Sequence, residues 1–180
     1  MKFRALPQSE HVLIEVRPIV VADIPPWFEC LTDPAVYEHT SWNVQTPDEL
    51  SHYAWSTSTE EPSSLTRFAI AERATGLLVG TVGFHSVSPQ NRTAEIAYDL
   101  VPSYWGKGIA TYACGLLTSW AHQSCDILRV QAAVLQSNER SARVLSRCGF
   151  EREGLLRSYR LVRGVPGDFW SYAHVVPIAA

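Results

Sequence analysis

No stretch of this sequence approaches the ~20 consecutive apolar residues that a bilayer-crossing helix needs. Near the start, Lys2 and Arg4 lead into no uninterrupted apolar run; Glu10, His11, Glu15 and Arg17 break it up, so no secretory leader is expected. An excess of positive charge is missing as well. The formal net charge is −3, which removes any general attraction to nucleic acid or to anionic membrane, and neither is expected as a partner. The four cysteines, Cys30, Cys114, Cys125 and Cys148, make no CxxC pair and no zinc-like set, and the six histidines form no ligand set. No metal is therefore expected. There is no internal repeat, linker or compositional break. The expectation is a single domain over residues 1–180, soluble and cytoplasmic, with free thiols.

What is present suits a folded core: 46% of residues are hydrophobic and 18% charged, which excludes the disordered class. Val12 to Val16 alternates and reads as a first strand ended by Pro18. Asp23 caps a short helix with Pro25 and Pro26 in its first turn, and Asp33-Pro34 opens another. Thr46-Pro47-Asp48-Glu49 has the form of a capping box, predicting a helix to about Ser56. A Ser/Thr/Glu/Pro-rich loop spans Thr57 to Ser64. Leu65–Glu72 and Leu77–His85 predict a hairpin around Ala74-Thr75-Gly76, and Thr93–Leu100 a third antiparallel strand. Beyond residue 108 a helix is followed by a strand over Ile127–Val134. A second helix opens at Ser137-Asn138 and stops at Gly149, with Val144, Leu145 and Cys148 on one face. Phe150–Arg160 and Phe169–Val176 are two final strands, joined by a turn holding Gly164, Pro166 and Gly167. The order predicts an α/β (α+β) fold: one mixed, mostly antiparallel sheet with helices on both faces.

The centre of the chain is Tyr104-Trp105-Gly106-Lys107-Gly108-Ile109-Ala110. A strand leads into it, and a helix with Ile109, Ala113, Leu116, Leu117 and Trp120 at helical spacing leaves it. The first N–H groups of a helix have no partner within it and lie at the positive end of its dipole, so strand, glycine turn and helix start form an anion site. Gly106 and Gly108 carry no Cβ to hold a phosphate away. A dinucleotide-binding turn is the rival. It wants a glycine where Thr111 stands and a βαβ start, whereas antiparallel strands come first here.

In this frame the sequence resembles the GNAT superfamily of acyl-CoA-dependent N-acetyltransferases, whose phosphate loop reads Gln/Arg-x-x-Gly-x-Gly/Ala. Gly108 and Ala110 match and Trp105 departs from Gln/Arg. The wording of the loop is similar to the branch of ribosomal-protein N-terminal alanine and serine acetyltransferases. So are Asn138-Glu139-Arg140-Ser141, Arg147-Cys148-Gly149-Phe150, Val16-Arg17-Pro18 and Asp33-Pro34-Ala35-Val36.

The resemblance implies acetyl-CoA as donor, held by Leu100, Val101, Trp105, Gly106, Lys107, Gly108, Ile109, Ala110, Thr111, Asn138 and Ser141. It implies a catalytic carboxylate on the strand before the turn, which selects Glu95, with Asp99 the weaker choice. The bland alternative puts both on a solvated face. Many members carry a tyrosine on the second helix that protonates the leaving thiolate; Leu145 stands there, and Ser141 is the substitute the branch suggests. Trp42 lies in the loop expected to border the acceptor and is assigned with Glu95 to substrate binding. His85 reads as a packing residue. The implied acceptor is a primary amine, a protein N-terminus or a small molecule; a non-catalytic acyl-CoA sensor is the third reading, and a homodimer is allowed.

Overall fold

The structure is a computed structural model that describes residues 7–55 and 66–176. Seven strands form one sheet: β1 (Ile14–Pro18), β2 (Thr66–Glu72), β3 (Leu78–Ser88), β4 (Thr93–Leu100), β5 (Arg129–Leu135), β6 (Glu151–Val162) and β7 (Val165–Val175). Their order across the sheet is β1-β2-β3-β4-β5-β7-β6. Every pairing is antiparallel except β4 with β5, which a helix joins in sequence. The helices are α1 (Ile24–Thr32), α2 (Pro34–Tyr37), α3 (Ser51–Trp55), α4 (Ile109–Ser124) and α5 (Glu139–Arg147). No helix among the described residues is long and apolar enough to cross a membrane.

The sheet is covered on both faces. On one, Ile109, Ala113, Leu117, Trp120 and Ala121 of α4 pack with Leu145 of α5 against Phe68, Val82, Phe84 and Ile96. Ile109 and Leu117 are fully buried, contributing about 2 kcal/mol each by apolar burial. On the other face Ile24, Trp27 and Leu31 of α1 pack with Leu50, Ala69 and Leu78.

Several boundaries differ from the sequence reading. The first strand sits two residues later and includes Pro18, paired with Phe68; β1 is an edge strand, where a missing N–H is tolerated. The capping box forms, with Glu49 accepting from the N–H of Thr46 at 2.9 Å, but its first turn is a 3-10 turn over Pro47–Leu50 that precedes α3. The loop expected at Thr57 to Ser64, the helix end at Ser56 and the strand start at Leu65 lie outside the described residues. The last hairpin is tighter than predicted. Its turn is Arg163-Gly164, both at positive φ, while Pro166 and Gly167 belong to β7. A two-residue turn of that hand matches the twist of the strands and lets them pair to the tip. The β5–β7 pairing ends at Leu135 and Phe169, so no strand on that side requires an N–H from Pro166.

Candidate active site

The parallel pairing of β4 and β5 covers only Thr93–Arg129, Ala94–Val130 and Glu95–Gln131. Beyond Glu95 the strands part, and a cavity of about 760 Å³ opens between Ile96–Leu100 on one side and Ala132–Leu135 on the other. Backbone geometry aims β4 into this gap. Val101 donates to Val79 O at 2.8 Å, so by the antiparallel alternation Asp99 and Ala97 also face β3. The backbone groups of Ile96, Tyr98 and Leu100 then face the gap.

At one end of the cavity stands the glycine turn. Gly106 and Gly108 have φ of 74° and 79°, a left-handed conformation that penalises any other residue, and both face open space. Gly108 is the N-cap of α4 and offers no side chain to its first N–H groups. Those of Ile109, Ala110 and Thr111 are left without an intrahelical partner, beside a cavity wall that carries Arg140, Arg143 and Arg147 of α5. A diphosphate fits there: unfilled donors, positive side chains and room where a Cβ would otherwise stand.

The individual residues sort as follows. Trp105, Gly106, Gly108, Ile109, Ala110, Thr111, Asn138, Ser141 and Leu100 all line the cavity; Val101 and Lys107 do not. Val101 has both backbone groups engaged, its N–H with Val79 O and its carbonyl with Tyr104 N–H. The Leu100 carbonyl accepts from the Trp105 indole at 2.7 Å. Hydrogen-bonding groups open to a ligand on this strand are therefore those of Tyr98 and the Leu100 N–H, displaced from the expected Leu100–Val101 pair. Lys107 lies over the ring of Tyr104 at 4.6 Å instead of in the cradle. Trp105, where the family pattern has Gln or Arg, ties the turn back to the end of β4, and Arg140 covers its ring at 4.4 Å. Asn138 caps α5, its Oδ1 accepting from Ser141 N–H at 3.0 Å. Leu145 is fully buried in the core.

At the other end of the cavity the face of Glu95 and Asp99, for which a solvated surface was the alternative reading, is covered. Glu95 is 4% exposed. Its Oε1 accepts from Arg160 Nη2 of β6 at 2.7 Å, and His85 Nε2 lies 3.6 Å away. Burial, partly offset by the Glu95 charge, pushes His85 below the usual imidazole range, so it is neutral at pH 7. Asp99 is occupied: it accepts from Arg67 at 2.5 Å, from the hydroxyl of Thr81 at 2.7 Å and from the Trp27 indole at 3.3 Å. These contacts make it a structural anchor instead of a spare base. Arg67 in turn lies 5.2 Å from the Trp42 ring and 5.3 Å from that of Trp27, which sets Trp42 on the cavity wall. The tip of the β6–β7 hairpin closes this end, Arg163 donating to Tyr37 O at 2.8 Å, Glu38 O at 2.9 Å and Thr40 O at 3.3 Å.

Three residues of the cavity wall escaped the sequence reading. Arg160 carries no motif, and only the fold brings it to Glu95. His85 was read as packing, although it is the cross-strand partner of Glu95 in the β3–β4 register. Tyr98 was placed correctly with Ile96 and Leu100, but its phenol reaches Ser141 Oγ at 2.8 Å; a hydroxyl on an otherwise apolar face was the available signal.

Comparison with known proteins places this arrangement. The acetyltransferase (GNAT) domain family matches residues 14–151. The chain is 37% identical over 111 residues to the uncharacterized N-acetyltransferase YoaA of Bacillus subtilis, covering 62% of this chain and 63% of that protein. It is 32% identical over 99 residues to the ribosomal-protein-serine acetyltransferase of Escherichia coli, covering 55% of each. The matched stretch is thus less than two thirds of the length of these relatives. Among solved structures, Mycobacterium smegmatis RimJ in complex with CoA-disulfide superposes with a TM-score of 0.76 at 24% identity, over 90% of this chain and 81% of that one. With the family match covering most of its length, the chain belongs to the GNAT acetyltransferase family.

Proposed function

We propose that the protein transfers the acetyl group of acetyl-CoA to the α-amine of a protein or peptide N-terminus. The carrying observation is the strand gap itself, which runs from the glycine cradle to the buried carboxylate of Glu95. N–H groups of Ile109 to Thr111, with the arginines of α5, hold the diphosphate. Tyr98 and Leu100 N–H groups line the gap and polarise the thioester carbonyl, then stabilise the oxyanion. Glu95 takes a proton from the amine, which attacks in a ternary complex; the Ser141 hydroxyl meets the leaving sulfur.

The acceptor end favours an α-amine. Its two carboxylates, Glu95 and Asp99, are each paired with an arginine. A polyamine or aminoglycoside would meet Arg67 and Arg160 with no spare anion to receive it. An α-amine has a reference pKa of about 8, against about 10.4 for lysine, so one modest base suffices near neutral pH. The named ribosomal-protein-serine acetyltransferase among its relatives supports the same acceptor class.

The test is a panel of N-terminal peptides and small amines with CoA release as readout, run on wild type and Glu95→Gln. Peptides should be the better acceptors. Glu95→Gln should lower turnover by roughly 10²–10⁴ while acetyl-CoA affinity stays nearly constant. Wild-type turnover in the Gln variant removes Glu95 as base. Acetyl-CoA binding without turnover on any amine would make the protein a sensor.

A further inference from the structure

We propose that Arg160 is the docking point for a carboxylate that the acceptor carries beside its reactive amine. This rests on the acetyl-transfer reading above and names the acceptor more closely.

The contact between Arg160 and Glu95 is a single one, Nη2 to Oε1 at 2.7 Å. The arginine side chain is 31% exposed while that of Glu95 is 6% exposed, so the cation stands on the open side of the pair and the carboxylate on the closed side. Arg160 is also held at a fixed place. Its guanidinium lies 5.7 Å from the Phe169 ring and 4.9 Å from that of Tyr159. A guanidinium presents five donors in a planar fork; Glu95 engages one and the Tyr159 hydroxyl is a second hydrogen-bonding neighbour, which leaves further donors for a carboxylate.

The pair also bears on the reaction. Oε1 of Glu95 already faces both Arg160 and His85, so an incoming ammonium has to share the carboxylate with a guanidinium. An ordinary ammonium arriving at this end finds no unpaired anion, since Asp99 is taken by Arg67. Drawing Glu95 toward the amine would strand the arginine. An acceptor bearing both charges resolves this. Its ammonium goes to Glu95 and its carboxylate to Arg160, so the zwitterion inserts into the ion pair and every charge keeps a partner. Glu95, released from the guanidinium, then takes one proton from the ammonium, and the neutral nitrogen is free to attack. The shared chemistry is an amine with a carboxylate a few bonds away. It is found in a free α-amino acid and in a peptide whose first residue is aspartate or glutamate.

The experiment compares matched acceptors that differ only in carboxylate against carboxamide. One arm pairs a free amino acid with its amide; the other pairs Asp- with Asn-initiated and Glu- with Gln-initiated peptides. Wild type should prefer the carboxylate member of one arm by about tenfold or more in kcat/KM, the scale of one charge-assisted contact. The arm that shows it identifies the source of the carboxylate. In Arg160→Gln the preference should fall toward unity, and Arg160→Lys should keep part of it; acetyl-CoA affinity in both variants verifies the fold. Equal use of carboxylate and amide by wild type, or a preference that survives Arg160→Gln, overturns the subsite. Turnover of neutral peptide amides in that case leaves the acetyl-transfer reading standing. No turnover with any acceptor removes both.

Discussion

The phenol oxygen of Tyr98 lies 2.8 Å from the hydroxyl oxygen of Ser141 and 3.2 Å from its carbonyl oxygen. Burial pushes the Tyr98 pKa well up, so the group remains a neutral donor. Either hydroxyl can donate in the shorter contact; in the arrangement where the phenol donates to Ser141 Oγ and not to the carbonyl, the serine hydrogen is free to point at a sulfur in the gap.

Removing that donor should weaken Ser141 without touching the cradle. Tyr98→Phe should lower kcat about three- to tenfold, the worth of one hydrogen bond, with KM for acetyl-CoA unchanged. Ser141→Ala should cost less in the Tyr98→Phe background than in wild type, because the two act as a unit. Steady-state kinetics on the four proteins checks this; strictly additive losses would separate the two residues.

Gly108 supports a prediction about binding. Glutamate there would adopt a left-handed backbone, at about 1–2 kcal/mol, and would place a carboxylate in front of the free N–H groups of α4. Acetyl-CoA affinity by calorimetry should fall by two orders of magnitude or more, an estimate from placing like charges in contact. Gly76→Glu is the control. That turn between β2 and β3 has φ of 72° and equally open surroundings, so strain is matched and affinity should hold. Equal affinities in the two variants would move the diphosphate elsewhere.

The third prediction concerns pH and stability. His122 Nδ1 lies 2.7 Å from the carbonyl of Ile127, which can only accept, so that nitrogen carries the proton. His122 Nε2 faces His174 Nδ1 at 3.0 Å. Burial first, and then the facing His122, lower the His174 pKa. The unfolded chain titrates near about 6.5 and binds more protons than the folded one below that point, so stability falls as pH falls. Thermal unfolding from about pH 7.5 to about pH 5 should show a declining midpoint. His174→Gln should flatten the decline, leaving the share owed to His85, whose pKa is also lowered. An unchanged slope in the variant would assign the acid lability elsewhere.

The geometry of the candidate cradle was legible because it is local. Strand, turn and helix follow one another from Thr93 to Ser124, and glycines needing left-handed φ announce themselves at 106 and 108. The Asn138 cap is equally local, spanning three residues. Alternation grouped Glu95 with Asp99 correctly, but a period of two says only which residues share a face, not what covers it. That α1 would bring Trp27 over Asp99, and that β6 would bring Arg160 to Glu95, depends on contacts 72 and 65 residues apart. The register of β6 shifts between Leu156 and Arg160, so even a known strand pairing would have misplaced that arginine.

The Arg163 clamp has a kinetic corollary. It joins the hairpin tip to α2 across 123 to 126 residues, so the wall it completes cannot exist until nearly the whole chain has been collected. Closing so long a loop carries a large entropic cost that contacts repay only once they form. During folding, the acceptor-side wall should therefore be among the last parts of the cavity to form.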